Sequence, residues 1–265
     1  MSKDLAKEEK NEIALSGYKT DNTGFEDMDR SELAIPYVIL LQAMSPQVQP
    51  GVDRVEGAEA GYLMNTLTQE ATPGNVGIHI VPLMREHMFV EYAPREAGGG
   101  VVSRRLPSDP LVRQLRSEQG RFGKLKSPTG NEITETFYLY CGVLENTDDE
   151  FFSGIVLVSF TSTKIKAYQN IMTRLRSNSI VLEDGSRVSP PLWANRLHLT
   201  TVQQKNNHGT FFNFKILPSE GTLRDSIISP DSPLLVEAES FISQISDGKA
   251  AAESAPSDDS DDSPY

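Results

Sequence analysis

Cations interleaved with flat rings recur through the middle of this 265-residue chain, and together they suit one kind of chemistry. The run Arg121-Phe122-Gly123-Lys124-Leu125-Lys126 alternates charge with apolar bulk; Arg104, Arg105, Arg113 and Arg116 precede it, and Lys164 and Lys166 follow. Cations spaced along a groove meet the phosphates of an unpaired polynucleotide, while exposed rings stack on its bases at roughly 1 to 3 kcal/mol each. Neither contact reads sequence. Tyr138, Tyr140, Arg196, Phe211 and Lys215 are further candidates, because each falls opposite the core-forming residues of an alternating run.

Covalent and metal chemistry lack their signatures. Gly120-Arg121-Phe122-Gly123-Lys124 does not have the GxxxxGK[ST] spacing of a phosphate loop, and no GxSxG elbow occurs. His79, His87, His198 and His208 do not stand at metal-finger spacing, and a lone cysteine, Cys141, excludes a cysteine-based zinc site. No catalytic residue, metal or cofactor is therefore expected. Cys141 sits inside an aromatic strand-like run and is expected to be a buried thiol in a reducing compartment.

The candidates need a scaffold, and the apolar periodicity supplies one. Strands are expected at Val76–Tyr92, Thr136–Glu145, Phe151–Phe160, Leu192–Gln203 and Thr210–Leu217, each rich in β-branched and aromatic residues and bounded by turn formers. Between the third and fourth, Thr163–Arg176 sets Ile165, Tyr168, Ile171, Met172 and Leu175 at helical spacing. Asp231–Ile245 predicts a C-terminal amphipathic helix through Leu234, Leu235, Ala238, Phe241, Ile242 and Ile245. Strand, strand, strand, helix, strand, strand is the order of the OB-fold. The expectation is a mainly β protein with some helix: an OB-like five-stranded barrel with a long insertion, residues 93–135, between its first two strands. That insertion reads as a flexible basic flap. Residues 1–30 are expected to form a flexible arm, 31–246 the barrel domain, and 247–265 a disordered acidic tail.

Charge divides along the same lines. The overall balance is −12, yet residues 85–215 hold 17 Lys+Arg against 13 Asp+Glu, a net +4. Residues 1–84 carry −7 and residues 216–265 carry −9. A basic body between acidic ends is compatible with a polyanionic partner, which the overall balance conceals. Met1-Ser2-Lys3-Asp4 opens a charged stretch, and no run approaches the roughly 20 apolar residues of a membrane span. A cytoplasmic location in a bacterial or phage-infected cell, with no membrane partner, is expected.

The chain ends Ser257-Asp258-Asp259-Ser260-Asp261-Asp262-Ser263-Pro264-Tyr265. Asp258, Asp259, Asp261, Asp262, Pro264 and Tyr265 offer a partner protein carboxylates and one terminal ring. This ending resembles the C-terminal tip of single-stranded DNA-binding proteins from bacteria and their phages, with Tyr265 where Phe is usual. The resemblance implies a protein that coats and protects single strands during replication or recombination and recruits replication or recombination proteins through its tail, with self-association a further expectation. A protein-interaction adaptor or virion component, and a divergent DNA-processing enzyme with scattered acidic residues, are the alternatives.

Overall fold

The computed structural model describes residues 34–246 apart from 95, 97, 98, 121–124, 182, 183 and 208. In chain order its elements are β1 (Tyr37–Leu40), β2 (Leu63–Asn65), β3 (Ala71–Thr72), β4 (Ile78–Tyr92), β5 (Val101–Arg105), α1 (Pro110–Gln119), β6 (Leu125–Lys126) and β7 (Glu132–Leu144). They continue as β8 (Gly154–Thr161), α2 (Ile165–Ser177), β9 (Ile180–Val181), β10 (Arg187–Val188), β11 (Leu197–Asn206), β12 (Gly209–Pro218) and α3 (Pro233–Ser246).

The spine is a long antiparallel ribbon of β4 and β7, paired from His79–Leu144 to Tyr92–Glu132. Pro82, which has no amide proton to give the ladder, lies where the register shifts before Met84. Around this ribbon a mixed ten-stranded sheet curls into a half-barrel, with β12, β11, β4, β7, β8, β1, β2 and β3 in order, β5 added to β4 and β6 to β7. β9 and β10 form a separate two-stranded hairpin.

Apolar side chains are buried on both faces of the ribbon, most continuously in Phe137–Leu144 of β7, while Arg85, His87 and Glu135 interrupt the pattern. On one face Leu139, Cys141, Val158 and Phe160 join Leu197, Leu199 and Phe214 in a core closed by Tyr168, Ile171 and Leu175 of α2. On the other, Tyr138, Tyr140, Val81 and Val90 pack with Tyr37 and with Leu234, Ala238 and Phe241 of α3. Fully burying one such aliphatic or aromatic side chain contributes about 1.5–3 kcal/mol, so the two helices hold the curl. At the far end of the ribbon, Val112 and Leu115 of α1 cover Phe89, Leu125 and Ile133 in a small third core.

The five-stranded barrel is corrected by this topology. The strands β4, β7, β8, β11 and β12 are contiguous, but the edge of β8 that a five-stranded closure would need is taken by β1. That strand runs parallel to β8, with Tyr37 opposite Leu157 and Val38 opposite Val158, and carries β2 and β3 beyond it. A side chain bridges from β12 to the chain just after β1 instead. The Gln42 amide donates from Nε2 to the Phe212 carbonyl at 2.9 Å, and the Phe212 amide donates to Gln42 Oε1 at 2.9 Å. Gly61 lies beneath, at φ +92°, where a Cβ would come within 2.5 Å of the Phe212 ring.

The described residues of the segment 93–135 are not a flap but paired strands and a helix, while residues 121–124 lie outside the described residues. β5 pairs with β4, β6 pairs with β7, and α1 starts under a cap in which Asp109 Oδ1 accepts from the Leu111 amide at 2.8 Å, with Pro110 as the first helical residue. Its anchor is the buried Glu91 carboxylate, which accepts from Asn131 Nδ2 and Ser103 Oγ, both at 2.9 Å, and from Arg105 at 3.4 Å. Burial alone would raise the Glu91 pKa; these donors outweigh it and hold the carboxyl below its ordinary range. The fourth expected strand also starts later, since Leu192–Ala194 form a 3-10 turn before β11.

Candidate functional site

Alternation along β4 puts Arg85, His87 and Phe89 on the face shared by α1 and α2, opposite Leu139, Phe137 and Glu135 of β7. The two helices cover the ends of this stretch and leave the middle reaching solvent. There the rings form a column: His87 stacks on Phe137 with centroids 4.1 Å apart and planes 14° apart, and Phe137 stacks on Tyr168 of α2 at 4.7 Å and 25°. Tyr168 is in turn tilted against buried Phe160 at 5.3 Å. A flat surface thus runs from the core to a half-exposed imidazole. Its inner members are fixed by packing, so little ordering is required to present it.

Cations flank the column on both sides. Arg116 of α1 stands 5.3 Å over the Phe89 ring, a cation–π distance. Arg85 is exposed and hydrogen-bonds Tyr168, whose phenol burial nevertheless pushes above its ordinary range. Glu135 lies between: its Oε1 is 2.9 Å from His87 Nε2 and 4.0 Å from Arg116. The His87, Glu135 and Arg116 side chains are 25%, 29% and 28% exposed, so all three reach solvent. Arg113, one turn earlier on α1, is exposed as well. Such a surface can stack a planar group and meet an anion.

The sequence-derived candidates divide by place. Arg116 and Arg113 belong to the α1 side of this surface; Lys126 is exposed but alternates with Leu125, which faces α1, and so falls on the opposite side of β6. Arg105 is tied into the Glu91 network and to Asp109 at 3.5 Å, a structural engagement. Tyr138 and Tyr140 are buried on the opposite face, at 3% and 5% exposure, and the expected stacking platform there does not exist. Tyr140 hydrogen-bonds Glu86, and loss of water pushes both groups above their ordinary pKa. Arg104 is exposed on that opposite face, across from Val90. Lys164 is buried in the turn before α2, whereas Lys166 is exposed. Arg196, Phe211 and Lys215 lie on or beside the β11–β12 hairpin, away from the column; Phe211 is half-buried and Lys215 exposed. Arg121, Phe122, Lys124 and the tail residues Asp258, Asp259, Asp261, Asp262, Pro264 and Tyr265 lie outside the described residues.

Sequence reasoning set Tyr168 on the apolar stripe of a helix, weighed His87 only as a metal ligand and did not single out Phe137 as a candidate. The signal for the column was present as two alternating triplets, Arg85-x-His87-x-Phe89 and Glu135-x-Phe137-x-Leu139, but it becomes a site only once the β4–β7 register is known. Among the described residues no group of histidine, cysteine and carboxylate side chains is arranged to hold a metal ion. No helix among them is long and apolar enough to cross a membrane.

No curated protein and no solved structure matches the chain. The family described as Pam3 phage gp34-like protein matches residues 7–251, nearly the whole length. On that match, the chain belongs to the Pam3 phage gp34-like protein family.

Proposed function

We propose that this protein binds single-stranded nucleic acid, DNA foremost, without reading its sequence, and serves phage replication or recombination by coating transient single strands. The observation that carries this reading is the His87–Phe137–Tyr168 column set between Arg85 and Arg116. A base has a π-face to lay against the partly exposed imidazole, and the flanking guanidiniums can meet the phosphates beside a base stacked in this way. The net +4 of residues 85–215 and the phage family support the same reading. The acidic ending then serves replication or recombination partners.

A salt-titrated anisotropy assay with a fluorescein-labelled oligo-dT tests it. Binding whose logarithm falls linearly with the logarithm of salt is expected, and His87→Ala with Arg85→Gln should weaken it by at least about tenfold, from one stacking platform and one phosphate contact. No retention of the oligomer even in dilute buffer would overturn the reading. Strand cleavage in Mg²⁺ or Mn²⁺ would instead indicate a DNA-processing enzyme. An adaptor role has one observation in its favour: Phe151 and Val236 are 65% and 71% exposed, beside the point where the Phe152 amide donates to Glu237 of α3.

A further inference from the structure

We infer that Glu135 occupies a phosphate subsite, and that its carboxylate must give way when a strand binds. The inference rests on the single-strand reading above and assigns a regulatory part within the same surface.

The argument begins with where the carboxylate lies. Glu135 Oε1 is 2.9 Å from His87 Nε2 and 4.0 Å from Arg116, so a donor from β4 and a cation from α1 converge on one oxygen. Both partners sit against rings, His87 on Phe137 and Arg116 over Phe89, and those rings are anchored in the first and third cores. The donors are therefore held in place from behind, whereas the acceptor is an ordinary side chain that reaches solvent. A carboxylate and a phosphodiester present similar anionic oxygens, and arginine takes either. Beside the subsite lies the flat face of His87, so a nucleotide unit can set its phosphate on Arg116 and its base against the imidazole.

Glu135 has a second property that a fixed structural acid would lack. Unlike Glu91, which is 4% exposed, Glu135 has a side chain that is 29% exposed, so its carboxylate is already partly hydrated and water can replace the contacts it gives up. Its charge opposes the approach of a polyanion while the site is empty and keeps Arg116 and His87 from taking up stray anions. Once displaced, it leaves both donors to the strand. Glu135 is thus a built-in competitor that sets affinity without contributing to it.

Oligo-dT anisotropy at low salt, on the full chain, compares wild type with Glu135→Gln, Glu145→Gln, Arg116→Gln and the double variant Glu135→Gln/Arg116→Gln. Glu145 is exposed, just past the end of β7, and controls for the loss of one negative charge. Glu135→Gln should bind three- to tenfold more tightly, Glu145→Gln less than twofold, and the gain should vanish in the double variant. Thermal melts confirm that each variant is folded; should Glu135→Gln fail to fold, Glu135→Asp, which shortens the reach to Arg116, should show a smaller gain in the same direction. Equal or weaker binding by the Glu135 variants while wild type binds well overturns this inference and leaves the single-strand reading standing. Absence of binding by wild type overturns both.

Discussion

The Gln42 side chain forms a two-way hydrogen-bonded pair with the backbone of Phe212, 2.9 Å in each direction, and so acts as one peptide unit of a strand that is not there. Through it the last strand of the sheet is fastened to the chain just after the first.

Replacing Gln42 with Ala should therefore loosen the β11–β12 hairpin. Two backbone groups of Phe212 lose their partner in a partly buried setting, and a cost of about 1–3 kcal/mol follows. Urea denaturation should show a lower midpoint with little change in slope, and hydrogen exchange should rise first at Phe212.

Acid should weaken the junction of the same hairpin with β4. His79 and His198 lie opposite one another there, rings stacked at 4.4 Å, with His79 Nδ1 3.1 Å from Ser219 Oγ and His198 Nε2 2.7 Å from the Val76 carbonyl. Burial, then the neighbouring imidazole, pushes the His79 pKa below its ordinary value. The unfolded chain accordingly takes up this proton before the folded one. The contribution is intact above the unfolded value of about 6.5 and is lost as pH falls below it toward the depressed folded value. The melting temperature of wild type should drop between pH 7.5 and 5.5, and His79→Phe should flatten that drop; equal slopes in the two proteins would count against the assignment.

Cys141 should be inert while the protein is folded. It is fully buried between the ribbon and the first core, and burial pushes its thiol well above the ordinary range. Labelling by a disulfide reagent at neutral pH should be at least about a hundredfold slower than that of a free thiol and should recover on denaturation.

Deletion of Ser257–Tyr265 removes four aspartates. If the tail competes with a strand for the basic surface, the truncated protein should bind oligo-dT at least about twofold more tightly at low salt. The two proteins should converge at roughly 0.3 M salt, where screening acts over only a few ångströms. Unchanged affinity at low salt would remove the tail from the binding equilibrium and leave it a partner handle.

How much of this was legible beforehand differs by scale. The spacing of Tyr168, Ile171 and Leu175 marks a helix, because a 3.6-residue repeat needs no knowledge of the rest of the chain, and the same holds for Leu234, Ala238 and Phe241. Alternation correctly separated Tyr138 and Tyr140 from Leu139 and Cys141. It could not say that the tyrosine side is covered as well, since the cover comes from Tyr37 and α3, distant in sequence. The site was lost for a related reason. His87 meets Phe137 only through a register set across the whole of β5, α1 and β6, and no local pattern fixes it.

The parallel seating of Tyr37 against Leu157 bears on how the molecule is made. During synthesis the segment with Tyr37 leaves the ribosome long before β8, and until β8 follows only β2 can pair with it, so its other edge stays open. A sheet completed by such a distant contact nucleates slowly, in the millisecond-to-second range of high-contact-order domains, and keeps an apolar strand waiting meanwhile. That open strand edge is the point at which an unfinished chain is exposed to pairing with another copy.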